Sequence, residues 1–272
     1  MSNHLLTNGQ LASVQAGQWN NDSVTFAGTT SIAGQEPSVT FTGSNTLSNV
    51  AISASGATHD YGAINVAAGS ALATAALSVI DATLSVNERP GSSVTFNGIS
   101  TISNGSTLTA TGYSGAGSYS VNGTMNIDGS STVNMDYVAV AGTGTFHLAG
   151  ANALLRAGHV AAGDTVKLDG GMLSLTNGMT FLGTVTDSSP STSRIASGAS
   201  VAVYNALDAV RESFDLTTGA LDLYNVHGTE VASIKFAGHG VLYAAATTGL
   251  ATNYIEISSH SLAGALPTSF MG

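Results

Sequence analysis

The segment Ser93-Val94-Thr95-Phe96-Asn97-Gly98 decides the fold prediction, because its first four residues occur three times in the chain. The other copies are Ser23–Phe26 and Ser38–Phe41, and in each copy a glycine follows the phenylalanine after one intervening residue. Ser-Val-Thr-Phe alternates polar and apolar residues as a half-buried strand does, and the glycine supplies a turn. A unit this short cannot bury its apolar face alone, so the copies predict strands that stack on one another.

The composition favours strands and turns over helices. Of the 272 residues, 43% are hydrophobic and only 8% are charged, against about 25% charged in an ordinary globular domain. Ser, Thr, Asn and Gly therefore supply the polar surface, and their small side chains compete for backbone hydrogen bonds or permit positive φ. The chain has only 4 Pro, and short alternating apolar runs continue to its end, which argues against disorder.

Charge and cysteine content exclude several classes of protein. The net charge of −10 gives no electrostatic basis for binding a phosphate backbone, so nucleic acid is not an expected partner. The absence of Cys excludes a disulfide framework and a thiolate metal site. No apolar run approaches the ~20 residues of a membrane helix, and residues 1–9 carry neither the basic nor the apolar region of a cleavable signal.

Residues 21–186 carry the pattern of a β-solenoid. Apolar pairs at i and i+2, such as Leu84/Val86 and Phe146/Leu148, predict short strands with one buried face, and dipeptides such as Asn104-Gly105 predict tight turns between them. These turns fit the hairpins of a β-sandwich equally well. The three repeat copies begin 15 and 55 residues apart, which fits coils of roughly 18 to 25 residues with loops of variable length at the corners. We therefore predict an all-β protein built as a right-handed parallel β-helix.

The flanking regions differ from this pattern. Residues 1–20 are expected to form an N-terminal arm or cap, and residues 187–272 a C-terminal β-rich cap that serves assembly or secretion. A hairpin is expected to turn at His227-Gly228, with a further strand at Tyr254–Ile257. Short helices are the alternative for Ala67–Ala76 and Ala206–Phe214. The expected assembly residues of the arm are Leu5, Leu6, Leu11, Val14 and Trp19.

Part of the chain resembles a known kind of protein. The segments Gly142–Leu148, Val160–Leu175 and Phe181–Val185 are similar to repeats in large secreted bacterial β-helix proteins of the haemagglutinin and autotransporter-passenger kind. The hairpin around His227-Gly228 resembles the module that often follows those repeats. The resemblance implies a parallel β-helix and an extracellular or cell-surface location. The chain departs from those families in showing no N-terminal signal, so we expect export without a cleaved one. An uncleaved C-terminal secretion signal, for which Leu262–Gly272 is the candidate, is the export route that the resemblance suggests.

Catalytic and metal-binding patterns are sparse. Enzymes that cut polysaccharides need clustered carboxylates, and none is legible; His59-Asp60 is adjacent in sequence, so on a strand the two side chains point to opposite faces. The seven His lack metal-ligand spacing. No cofactor is required by the sequence, and calcium is the one that its acidic character and Asp-Gly turns admit. The calcium candidates are Asp128, Asp136, Asp164 and Asp169.

Three functions remain in consideration. The first is a non-enzymatic structural subunit that assembles end to end with itself into an extracellular filament, such as a surface or biofilm-matrix fibre. The second is a monomeric adhesin that binds cell-surface or matrix polysaccharide, with an ice-binding threonine ladder as a weaker variant. The third, least supported, is a β-helix enzyme that degrades polysaccharide. The repeats, the low charge and the absence of a catalytic cluster favour the first.

Overall fold

The structure is a computed structural model. It describes residues 3–7, 11–14, 17–20, 23–27, 38–41, 44–48, 50–54, 60–112, 118–187, 196–238, 242–248, 253–259, 266 and 268–271. Side chains are described for Phe41 and, within those ranges, for residues 62–246 and 253–266.

The predicted parallel β-solenoid is confirmed. The chain winds through three parallel sheets, and each strand pairs in register with the strand one coil later. One coil takes between 18 residues, from Arg156 to its partner Ser174, and 28 residues, from Ser23 to its partner Ala51. The variation in length falls in the connections between strands, because the strands themselves stay in register. The right-handed sense of the coil and the three-domain division stay predictions.

The first sheet takes one strand, or the second half of a long strand, from each coil. All of its pairings up to β20 are parallel. Its strands are β1 (Asn3–Thr7), β4 (Ser23–Ala27), β7 (Val50–Ala54), β9 (Ala71–Ile80), β11 (Ser93–Ser103), β14 (Thr124–Ile127), β16 (Thr145–Leu148), β18 (Thr165–Leu168) and β20 (Thr184–Thr186).

The second sheet also consists of parallel strands from successive coils, and its last strand is β21. Its strands are β2 (Leu11–Val14), β5 (Ser38–Phe41), β8 (Asp60–Val66), β10 (Ala82–Glu88), β12 (Thr107–Gly112), the first part of β15 (Thr132–Gly142), the first part of β17 (Leu154–Val160), β19 (Met172–Leu175) and β21 (Ser200–Val203).

The third sheet forms the remaining side of each coil. Some of its members are parts of long strands that bend at a corner and also belong to another sheet. It contains β3 (Gly17–Asn20), β6 (Ser44–Ser48), the first halves of β9 and β11, β13 (Ser118–Val121) and the last parts of β15 and β17. A parallel bridge between Val160 and Phe181 extends it by one coil.

Apolar side chains from successive coils stack on one another inside the solenoid. Leu84, Leu108, Val133, Leu155 and Leu173 are register partners in five consecutive strands of the second sheet, and all are fully buried. Each strand contributes alternate residues to this interior, since its side chains point inward and outward in turn. The core is therefore one continuous column made of strands that could not bury their apolar faces singly.

The three copies of Ser-Val-Thr-Phe lie in three different sheets. Ser23–Phe26 is part of β4 in the first sheet, Ser38–Phe41 is β5 in the second, and Ser93–Phe96 begins β11 in the third. Phe41 and Phe96 are both buried. The repeat thus encodes a strand with a buried phenylalanine and not a fixed position within the coil, which explains its irregular spacing.

Glycine at one corner is required by the closeness of neighbouring coils. A β-carbon on Gly98 would lie 1.3 Å from the backbone oxygen of Ala75, and one on Gly123 would lie 2.0 Å from the backbone oxygen of Gly98. Gly98 lies within the shift in pairing register between Phe96 and Ile99, where β11 bends from the third sheet into the first. The predicted Asn104-Gly105 turn, by contrast, has the positive φ values of 57° and 74° that such dipeptides favour.

Antiparallel strands follow the last parallel coil. β22 (Ala209–Asp215), β23 (Ala220–Asn225) and β24 (Glu230–Phe236) form an antiparallel meander, and β25 (Tyr243–Thr248) pairs antiparallel with β26 (Asn253–Ser258). β24 joins β20 in parallel, β26 joins β21 antiparallel, and β27 (Thr268–Met271) joins β22. The hairpin at His227-Gly228 and the strand at Tyr254–Ile257 are confirmed.

Both short-helix alternatives are wrong. Most of Ala67–Ala76 lies in β9, whose first half is held between β6 and β11. Ala206–Phe214 contains only the end of a single 3-10 turn, Tyr204–Ala206, before β22 begins. In both segments, pairing with neighbouring strands outweighs the helix propensity of alanine, which is a small term.

Candidate binding site

Polar side chains line one end of the second sheet, where β8, β10 and β12 finish at a common corner. Asn65, Asn87 and Thr111 are register partners in these three strands. The amide nitrogen of Asn87 donates to Oδ1 of Asn65 at 3.0 Å, and the hydroxyl of Thr111 donates to Oδ1 of Asn87. Because parallel strands place register partners directly above one another, the three side chains form a hydrogen-bonded ladder on the outer face.

Glu88 lies one residue beyond Asn87 and points inward. It continues the buried alternation of Ala82, Leu84 and Val86 to the last residue of β10, and its side chain is only 4% exposed. Its atom Oε2 has no hydrogen-bond donor among the described residues. Burial raises the pKa of Glu88 to about 7, although the backbone amide of Ser118 partly offsets the effect. A buried carboxyl with an unsatisfied oxygen is costly, by about 1–3 kcal/mol.

The side chain of Tyr119 holds two strand ends together near the carboxyl of Glu88. The fully buried ring belongs to β13, and its hydroxyl lies 2.7 Å from the backbone oxygen of Val86, to which it donates, and 3.0 Å from that of Thr111. Burial raises the pKa of Tyr119, and the negative charge of Glu88 adds to the effect. The tyrosine thus remains a neutral donor that ties the ends of β10 and β12 together.

These groups border a cleft of about 160 Å³. Most of its lining residues have polar or charged side chains, and the carboxyl of Glu88 is buried. The rim is held by a tight turn, in which the backbone amide of Arg89 donates to the hydroxyl of Ser92 at 3.0 Å. The lining residues are Asn65, Asn87, Glu88, Arg89, Thr111 and Gly112. The arrangement suits the binding of a small polar molecule.

Two of the predicted calcium candidates have protein partners. Oδ2 of Asp136 lies 3.0 Å from Nε of Arg156, and Oδ1 accepts from the hydroxyl of Thr176 at 2.8 Å. Oδ2 of Asp169 lies 2.7 Å from Nε2 of His147, whose Nδ1 lies 3.2 Å from Oδ1 of Asn126. Both carboxylates therefore cross-link neighbouring coils.

The other two candidates lie at corners. Asp128 follows β14 in a turn, and Asp164 precedes β18 with its side chain buried. Oδ1 of Asp164 accepts from the backbone amide of Gly144 at 2.9 Å, and burial raises its pKa to about 6. Asp164 and Asp169 flank β18, so the strand holds them apart at its two ends. Within the described ranges, no group of three or more His, Asp or Glu side chains is placed to hold a metal ion.

An outward row of threonines crosses the first sheet. Thr124, Thr145, Thr165 and Thr184 are successive register partners and are all partly exposed. The adjacent row contains Asn126, His147 and Lys167, so the face mixes charged and uncharged groups. A uniform threonine lattice of the kind expected for ice binding is not formed on this face.

The predicted assembly residues all fall in the first three strands. Leu5 and Leu6 lie in β1, Leu11 and Val14 in β2, and Trp19 in β3. Their backbones form the first coil and pair in parallel with β4, β5 and β6. Their side chains lie outside the described ones. Of the His59-Asp60 pair, His59 lies outside the described residues and Asp60 begins β8.

The sequence prediction missed Glu88, although a signal was present. Counting by twos from the apolar pair Leu84/Val86 reaches residue 88, so a charged side chain stands at an inward position. The ladder partners Asn65 and Thr111 lie more than 20 residues away along the chain. Finding them required the coil register, which the irregular coil lengths conceal.

Comparison with known proteins does not assign the chain to a family. No family model matches it, and no curated protein matches it. In the part of the chain that the structure describes, no helix is long and apolar enough to cross a membrane.

Proposed function

We propose that this chain is a non-enzymatic structural protein that assembles end to end with itself into an extracellular filament. The observation that carries the proposal is the pairing of the first coil. Among the described strands, β1, β2 and β3 each pair with one neighbour only, namely β4, β5 and β6. A strand with one unpaired edge is a template for a strand from another chain.

The sequence of this coil supports the proposal. Monomeric proteins protect strand edges with charged residues, above all Lys, or with Pro. Residues 1–21 contain no Asp, Glu, Lys, Arg or Pro, and the first charged residue is Asp22.

The opposite end of the solenoid offers a surface for the second copy. Leu207, Val210 and Val226 are 48%, 47% and 74% exposed. Pairing of Ala209 with Asn225 brings Val210 and Val226 to the same end of the β22–β23 pair. A contact between this C-terminal region and the first coil of another copy is heterologous, and heterologous contacts that do not close generate filaments. An extracellular location, as in a surface or biofilm-matrix fibre, rests on the sequence resemblance.

The experiment compares two proline variants in β2 by sedimentation velocity. Ala12 and Ser13 are consecutive, so their backbone N–H groups point to opposite edges of the strand, one toward β5 and one away from it. We expect the wild type to assemble as its concentration rises. Proline at the position whose N–H points away from β5 should abolish assembly and leave the melting temperature unchanged. Proline at the position whose N–H points toward β5 should lower the melting temperature.

The result that would overturn the proposal is a wild-type protein that sediments as a monomer at every concentration. Assembly that neither proline variant affects would also contradict the role of the first coil. Each variant is checked by circular dichroism, so that loss of folding is distinguished from loss of assembly.

A further inference from the structure

The first sheet is one continuous ladder of strands that has an unpaired edge at each end. β1 is its first strand, and beyond β20 the ladder continues through β24, β23 and β22 to β27. Among the described strands, β1 pairs only with β4, and β27 pairs only with β22. No backbone hydrogen bond joins the other edge of either strand to a described residue. Both ends of this sheet therefore offer backbone groups to a further strand.

The directions of the two edge strands match. β24 is parallel to β20, and two antiparallel steps, from β24 to β23 and from β23 to β22, restore the original direction in β22. β27 is parallel to β22, so it runs in the same direction as β20 and, through the parallel coils, as β1. When a second copy stacks head to tail on the first, its β1 is parallel to β27. Such a joint repeats the parallel pairing of the coils themselves.

The inward positions of the two strands also match. Through β22 and β23, the register of Phe270 leads to Ile234, which is fully buried. Through β4 and β7, the register of His4 leads to Val79, which is also fully buried. Leu6 lies two residues after His4 and so belongs to the same face of β1. Stacking two copies head to tail therefore brings the core-facing positions of β27 and β1 together.

Neither strand carries the residues that protect an exposed edge. Asn3–Thr7 and Thr268–Met271 contain no Asp, Glu, Lys, Arg or Pro, whereas monomeric proteins place charged residues and Pro on such edges. The alternative partner for β1 is β1 of another copy. That contact is isologous, so it closes after two copies and leaves the edge of β27 unpaired in both. Pairing of β27 with β1 uses both edges and repeats without closing.

We propose that copies of this chain join by parallel pairing of β27 in one copy with β1 in the next. This proposal rests on the proposed filament and names the strand that meets the first coil. It brings the edges of β2 and β3, which belong to the same coil as β1, against the same copy. The mode of recognition is strand addition, in which main-chain hydrogen bonds supply the affinity.

The test is disulfide trapping between copies. The chain contains no Cys, so introduced cysteines are its only thiols. Neighbouring strands are about 4.7–4.9 Å apart, which lies within the range of Cα–Cα distances that a disulfide spans. Ser269→Cys is mixed with a second variant at a concentration at which the wild type assembles, then oxidised and analysed on a non-reducing gel. The second variants carry one Cys in place of Asn3, His4, Leu5, Leu6 or Thr7.

The expected result is an alternating pattern along β1. Ser269 precedes Phe270 and so occupies an outward position of β27. We expect a mixed disulfide with at least one of the outward positions, Asn3, Leu5 and Thr7, and none with the inward positions, His4 and Leu6.

Thr25→Cys is the matched control. Thr25 is the register partner of Leu5 in β4, a strand that pairs with β1 on one edge and with β7 on the other. It should give no mixed disulfide above background, because neither edge of β4 can accept β27. Thermal unfolding of each variant verifies that it folds, and since five positions of β1 are scanned, the loss of one variant leaves the others to decide.

The outcomes separate the joint from the filament. Assembly without any mixed disulfide between β27 and β1 overturns the joint alone. The same conclusion follows if all five positions of β1 react equally, or if Leu5→Cys by itself gives disulfide-linked dimers, which is the sign of β1 pairing with β1. A wild type that stays monomeric in sedimentation velocity overturns the filament, and the joint with it.

Discussion

Glu88 and Gly112 occupy the same register position at the ends of two adjacent strands, and the carboxyl of Glu88 fills the space that a side chain on residue 112 would take. Oε1 would lie 2.8 Å from such a β-carbon. The absence of a side chain in one coil thus permits a buried charge in the coil before it. Because φ at Gly112 is not positive, the glycine is needed here for space and not for its backbone conformation.

Gly112→Ala should therefore move the pKa of Glu88. The new methyl group pushes the end of the glutamate side chain toward solvent, where desolvation no longer favours the neutral form. We expect the pKa to fall from about 7 toward the ordinary value, as measured by carbon-13 NMR titration of the carboxyl. Gly129→Ala is the control, because a β-carbon on Gly129 meets no atom within 4 Å. An unchanged pKa in Gly112→Ala would contradict the structure of the corner.

The two buried carboxyls should make the protein less stable as the pH rises. Folding raises the pKa of Glu88 from 4.5 to about 7 and that of Asp164 from 3.8 to about 6. Between these values the folded chain holds protons that the unfolded chain has lost, so their contribution to the free energy of unfolding falls as pH rises and levels off above pH 7.

Urea denaturation of Glu88→Gln measures this effect. The variant should be more stable than wild type by about 3 kcal/mol at pH 8 and nearly equal to it at pH 4.5. Asp215→Asn is a control of opposite sign, because hydrogen bonds from Thr218 and Thr217 lower the pKa of Asp215. A stability difference between Glu88→Gln and wild type that does not vary with pH would exclude burial of a titrating carboxyl.

Gly98→Ala should severely destabilise the solenoid. Its β-carbon would lie 1.3 Å from the backbone oxygen of Ala75, so two coils must separate at that corner. We expect a loss of at least about 3 kcal/mol in the free energy of unfolding. Gly69→Ala provides the comparison: its φ of 67° costs about 1–2 kcal/mol, but it has open space around it. Equal losses in the two variants would show that the coils are less close than described.

The two ion pairs between coils should differ in their contribution to stability. The side chain of Asp136 is 5% exposed, whereas those of His147 and Asp169 are 26% and 24% exposed. Arg156→Ala leaves a buried carboxylate without its cation and should cost about 1–3 kcal/mol. His147→Ala should cost about 1 kcal/mol or less, because water screens the more exposed pair. Thermal unfolding of both variants checks the order, and the reverse order would contradict it.

The strands and their inward faces were predictable from sequence, because alternation over three to six residues reports burial directly. Leu84/Val86 and Phe146/Leu148 are buried as the pattern indicates. The coil register was not predictable, since connections absorb differences of up to ten residues between coils. The short helix considered for Ala67–Ala76 was wrong for a related reason. Alanine favours a helix in isolation, but its small side chain also suits a strand held between two others.

The candidate site was less predictable than the fold. The sequence around each of its polar residues predicts an ordinary solvated side chain. Asn65, Asn87 and Thr111 are brought together only by the pairing register of successive coils. Of the aspartates predicted as calcium ligands, Asp128, Asp164 and Asp169 lie next to turns or strand ends, whereas Asp136 lies inside β15 at its bend. Asp136 and Asp169 bind side chains of neighbouring coils, and Asp164 binds a backbone amide. Carboxylates that cross-link coils and carboxylates that bind metal share the same sequence contexts.

Fibre diffraction from aligned assemblies of the wild-type protein tests the filament most directly. Strands in neighbouring coils are about 4.7–4.9 Å apart along the solenoid axis. If copies add end to end through the first coil, that reflection lies on the meridian, parallel to the filament. A monomeric protein that forms no filaments, or filaments with the reflection on the equator, would contradict end-to-end assembly.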